Sequence, residues 1–213
     1  MPVTQVGVAR LRRRGRRRER GHRIGAPLSL AYLVALTGTA LATRAIGTER
    51  AHRMKANAST DVAHLEAAPG RALIASAFVL DGRWELGQLA LVAAALLPLE
   101  RRIGSLRTAA VFAGGHVGAT FATELPIALA ISRQRLPESS AHRIDVGPSF
   151  GAFAALGAGC GRLPGALRPW ALLGLATGQS VIDATNRDPV AAVGHAVAIA
   201  IGVSTWPFMS HAR

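Results

Sequence analysis

Apolar residues gather into six stretches along this chain, separated by links rich in charge, Gly and Pro. The first, APLSLAYLVALTGTALAT at 26–43, is close to the minimum of about 17 residues that a helix needs to cross a hydrocarbon core. The second covers 75–99, but its first half is interrupted by polar residues, so its apolar part alone is short. The third, 108–132, carries His116 and Glu124 inside it. The fourth, VGPSFGAFAALGAGCG at 146–161, consists mostly of small residues. The fifth and sixth occupy 167–182 and 189–209. Several apolar runs near spanning length in one short chain predict an all-α, polytopic membrane protein, a six-helix bundle over 26–210 behind a tail at 1–25.

Charge sets the orientation. The 213 residues carry a net charge of +13, and nine arginines fall within 10–23. Basic residues near span ends stay in the cytoplasm. The expected arrangement therefore puts the N-terminus inside a cell membrane, together with Arg101, Arg102, Arg107, Arg162 and Arg168. Residues 44–74, 133–145 and 183–188, which hold most of the acidic groups, are then outside. The tail has no interleaved aromatics, so contact with anionic lipid is expected of it rather than nucleic-acid binding. It can also be viewed, with the first span, as a signal peptide ending at the Ala-Leu-Ala of 40–42. Cys160 is the sole cysteine, which excludes an intrachain disulfide.

Polar groups inside spans are costly and point to internal pairing or to function. Gly147-Pro148-Ser149-Phe150-Gly151 matches the G-x-S-x-G elbow of soluble hydrolases, but that elbow needs a strand before the serine, and none is expected here. Ser149 lies about three residues into span four and His195 about six into span six, both counted from the outer side, so the two share a depth. Small residues at Gly147, Gly151, Gly157 and Gly161 on one span, and at Gly194, Ala198 and Gly202 on the other, allow close approach. A serine and histidine so placed are a minimal nucleophile and base. A back-bonded helix serine and an interhelical histidine remain the plainer alternatives. His116, Thr120 and Glu124 recur every four residues on one face of span three. They suit a buried His–Glu hydrogen-bonded pair, and a small transporter would use the same face. No tight ligand spacing such as H-E-x-x-H occurs, so neither metal nor other cofactor is expected.

Three segments together resemble the rhomboid family of intramembrane serine proteases, over about residues 73–205. LERRIGSLR at 99–107 is similar to that family's Glu-x-x-x-Gly-Ser at the end of helix two. GPSFGAFAALG at 147–157 is similar to its Gly-x-Ser segment, and GHAVAIAIG at 194–202 to its histidine-bearing helix six. RALIASAFVLDG at 71–82 resembles a divergent actinobacterial branch. The resemblance implies a Ser149–His195 dyad cleaving transmembrane substrates, with transmembrane helices of other proteins as partners. It also implies oxyanion donors on helix two, where Trp84 and Gln88 stand in place of the family's His and Asn. Two departures bear on activity. Phe150 stands where the family has glycine, and Pro148 removes a backbone N–H that serves the oxyanion. Inactive relatives also carry that proline, so the resemblance implies either a protease or a catalytically inactive relative that binds membrane helices.

Overall fold

The computed structural model describes residues 25–81 and 85–209; the arginine-rich tail and Trp84 lie outside the described residues. Regular structure among the described residues is entirely helical. In chain order the helices are α1 Pro27–Ala45, α2 Thr48–Asn57, α3 Val62–Ala67, α4 Pro69–Ala77, α5 Glu85–Ile103, α6 Ser105–Ser132, α7 Ser149–Cys160, α8 Arg168–Asn186, α9 Pro189–Ser204 and α10 Trp206–Met209. Two segments, Pro27–Ala45 and Pro189–Phe208, are long and apolar enough to cross a membrane by length and composition.

The second apolar stretch differs from its expected course. It is not one element over 75–99: α4 ends at Ala77, and α5 begins at Glu85 and continues to Ile103. The polar half around Asp81 belongs to the link, and the helix continues through Pro98 to arginines in its last turn. Glu85, at the start of α5, pairs with Arg44 at 2.8 Å, which ties the two helix ends together.

One buried carboxylate joins three helix ends. Glu100, 0 % exposed, accepts the backbone N–H of Leu28 at 3.0 Å and of Ser29 at 2.7 Å. It also accepts the hydroxyl of Ser29, and that of Ser105 at 2.6 Å. The first turn of α1 has no cap of its own and starts at a proline, so a side chain from α5 satisfies its orphan donors. Four donors offset the cost of burying the charge.

At the centre lies α7, only 12 residues long, or about 18 Å at 1.5 Å per residue. It packs against α5, α6, α8 and α9. Ala152, Ala154, Ala155 and Ala158 are fully buried within it. A side chain at Gly202 of α9 would stand 2.0 Å from the carbonyl oxygen of Ala154, and one at Gly157 would stand 2.6 Å from that of Ile199. The α7 and α9 backbones thus touch through glycines, as small residues permit between membrane helices. Gly151 instead faces α6, against the Phe112 ring.

The links on one side of the bundle are fastened to the segment that enters α7. Thr60 N–H donates to the Asp145 carbonyl at 2.9 Å, Asp145 N–H to Ser59 Oγ at 2.9 Å, and Gly147 N–H to the Ser76 carbonyl at 3.0 Å. Arg143 collects three carboxylates: Glu124 of α6 at 2.8 Å, Asp145 at 3.2 Å and Asp188, before α9, at 3.4 Å. Burial works against the guanidinium's charge, but Asp145, Glu124 and Asp188 together hold its pKa above the ordinary value.

Three substitutions and one double variant test this packing. Gly202→Val drives a branched side chain into the α7 backbone and is expected to cost about 1–3 kcal/mol in a thermal melt in detergent. Gly174→Ala, on α8 with open space around it, is expected to leave the melt unchanged or raise it slightly. Arg143→Met strands Glu124, whose side chain is 2 % exposed, and should lower stability by about 3–5 kcal/mol. Adding Glu124→Gln should recover a large part of that loss, a coupling that a double-mutant cycle measures.

Candidate active site

Ser149 is delivered by a turn that only certain residues can make. Gly147 has φ of +134°, a conformation closed to side-chain-bearing residues. Pro148 follows at φ −80°, and its carbonyl accepts the Ala152 N–H at 2.9 Å, starting α7. Among the described residues no side chain caps this helix, so the N–H groups of its first turn stay open beside the serine. Ser149 itself is half-buried.

His195 comes from α9. Asp188 caps that helix by accepting the N–H groups of Val190 and Ala191, both at 3.0 Å. Gly194, one residue before the histidine, leaves space for the Phe150 ring, which a side chain there would meet at 2.3 Å. Phe150 and Phe153 flank the imidazole, with ring centroids 5.3 and 4.7 Å away. The bulk that follows the serine is therefore absorbed by a glycine on the facing helix and walls one side of the histidine.

Held this way, His195 Nε2 lies 3.0 Å from Ser149 Oγ, within the hydrogen-bond reach of a nucleophile and base. The other ring nitrogen is also engaged. Nδ1 lies 2.9 Å from Asp183 Oδ1 and 2.6 Å from the Gln179 amide nitrogen, both on α8. Neither of these residues stood out in the sequence as part of a site. Their spacing of four does place them on one helix face, which was the available signal.

Gln88 lies beside the entry to α7. Its Oε1 is 3.7 Å from the place a Gly147 Cβ would occupy, and it accepts the Asp81 N–H at 3.3 Å. The amide nitrogen is thereby left to other acceptors. Trp84, the other oxyanion candidate, is outside the described residues.

The α6 face behaves differently from the expected pair. His116, Thr120 and Glu124 are all buried, but His116 and Glu124 do not bond to each other. Eight residues of helix separate them by about 12 Å, too far for contact. His116 Nε2 instead meets the Leu73 carbonyl at 3.0 Å and Ser76 Oγ at 3.1 Å, fastening α4 to α6. Glu124 goes to Arg143. The Thr120 hydroxyl has no partner among the described residues. No group of three or more potential metal ligands gathers among the described residues.

A half-buried serine at a helix start, an imidazole on its hydroxyl and open backbone donors beside it are parts suited to acyl transfer. Among known proteins, the family described as rhomboid-like protein matches residues 23–213. No curated protein and no solved structure matches the chain. That match takes in every described helix, from the Glu100 junction to the glycine contacts of α7 and α9, and the chain belongs to the family of rhomboid-like membrane proteins.

Proposed function

We propose that this protein is an intramembrane serine protease, with Ser149 as nucleophile and His195 as base. The observation that carries this reading is the 3.0 Å approach of His195 Nε2 to Ser149 Oγ. In the first step Nε2 takes the hydroxyl proton while Oγ attacks the carbonyl carbon of the scissile peptide. The tetrahedral intermediate collapses as the imidazolium gives its proton to the leaving amine. Water then repeats the sequence on the acyl-enzyme. Negative charge on the carbonyl oxygen is met by N–H groups in the first turn of α7 and by the Gln88 amide. The membrane domain in this reading has six spans, α1 and α5 to α9, with the arginine-rich tail inside against anionic lipid and the serine reached from the outer face. Substrates are transmembrane segments of other proteins.

Pro148 favours a second reading, a catalytically inactive relative that binds membrane helices. A donor missing from an oxyanion hole costs about 2.7–4 kcal/mol. The open N–H groups of the α7 start and Gln88 support activity in spite of it.

A fluorophosphonate probe separates the two readings. Labelling of the purified protein is expected, and Ser149→Ala or His195→Gln should abolish it. Pro148→Ala offers an additional N–H and should raise the labelling rate by up to about a hundredfold. Phe150 is best left in place, because it packs on Gly194 and His195. Absence of labelling in folded preparations of both the natural protein and Pro148→Ala would make helix binding the function.

Orientation has its own test. In a Cys160→Ser background, cysteine at the exposed Glu66 is expected to react with an impermeant maleimide on intact cells. Cysteine at the exposed Arg107 should react only after permeabilisation. The reverse pattern would place the serine on the cytoplasmic side.

A further inference from the structure

The half of α8 that ends at Asn186 exposes its apolar side chains and turns two polar ones, Gln179 and Asp183, inward. Val181 and Ile182 are exposed, as are Gly178, Ser180, Ala184 and Thr185. Gln179 is 5 % exposed, and the Asp183 side chain is 11 % exposed. One turn apart on the same face, these two point at a single atom, His195 Nδ1. An acidic side chain withdrawn from solvent is costly unless a partner compensates it. The imidazole is that partner.

We propose that Asp183, assisted by Gln179, is the positioning residue that fixes the His195 ring in the tautomer competent to activate Ser149. The inference rests on the protease reading above and adds an acidic third member to its serine and histidine. An ionised carboxylate accepts hydrogen bonds and cannot donate them. The hydrogen between Asp183 Oδ1 and Nδ1 therefore belongs to Nδ1. Nε2 is then left with its lone pair directed at the Ser149 hydroxyl, ready to receive the proton. In the opposite tautomer, Nε2–H would donate to Oγ, and the serine would keep its proton. The Gln179 amide nitrogen stands 2.6 Å from Nδ1, and the amide oxygen has no partner among the described residues; a proton on Nδ1 requires the amide turned end for end, with its oxygen to that N–H, and which end of an amide faces a partner is assigned from its network. When the ring takes the serine proton it becomes imidazolium, and the adjacent carboxylate stabilises that charge. The proton passes only from Oγ to Nε2 to the leaving amine.

The test uses the full chain in detergent micelles, with ¹⁵N-labelled histidine. The His195 signals are assigned by their loss in His195→Gln. In the neutral ring, Nδ1 should be the protonated nitrogen and Nε2 the bare one, and Asp183→Asn should move population to the Nε2–H form. The second readout is fluorophosphonate labelling. Asp183→Asn should slow it at least about a hundredfold, and Asp183→Glu should restore part of the rate. A proton on Nε2 in the unmodified protein overturns the proposal without recourse to any variant. So does a tautomer, or a labelling rate, that Asp183→Asn leaves unchanged. If no form labels while the tautomer behaves as expected, the positioning role stands and the protease reading falls.

Discussion

The distance between serine and histidine depends on how closely two helix backbones can approach. Gly202 meets the Ala154 carbonyl and Gly157 meets that of Ile199, so at these two points α7 and α9 lie against each other with no side chain between them. A Cβ at either glycine would have to be accommodated by moving backbone, because the atoms it meets are main-chain atoms. Separation of the axes would carry Ser149 away from His195, since each side chain sits on one of the two helices. The same contact explains the alanine-rich face of α7: a short helix surrounded by four others has no room for large side chains on most of its surface.

Polar groups fasten the ends of this packed centre. Glu100 closes one end by capping α1 from α5 and taking the Ser105 hydroxyl at the start of α6. Arg143 and the Ser59, Thr60 and Ser76 contacts act on the other side, where the chain enters α7. Each of these groups is buried or partly buried and hydrogen-bonded or ion-paired. In a low-dielectric surrounding such networks restrict the backbone to one arrangement. Gly147 and Pro148 are then held between a fixed link and a fixed helix.

Much of this was legible from the chain. The apolar runs marked helices, and the shared depth of Ser149 and His195, with glycines on both segments, marked their adjacency. The second apolar run crosses a link that composition does not mark: Asp81 lies in a break between helices, and α5 continues past Leu99 into its arginines. The His116–Glu124 pairing failed for a geometric reason. A common face is not a common height, and two helical turns separate the side chains. Asp183 counted only as an acidic residue of an outer link, because the apolar pattern ended the fifth run at Ile182. The helix in fact continues to Asn186 and turns Asp183 inward with Gln179. Arg143 as the partner of Glu124 depended on the course of a link that no periodicity describes.

His195 and the residues bonded to its ring come late in the chain. Ser149 is made 46 residues before His195, and α8 with Gln179 and Asp183 lies between them. During synthesis α7 can nest between α5 and α6 while its hydroxyl still has no imidazole beside it. A serine without a base is a poor nucleophile. The Ser149–His195 contact is therefore complete only when α9 docks on its glycines.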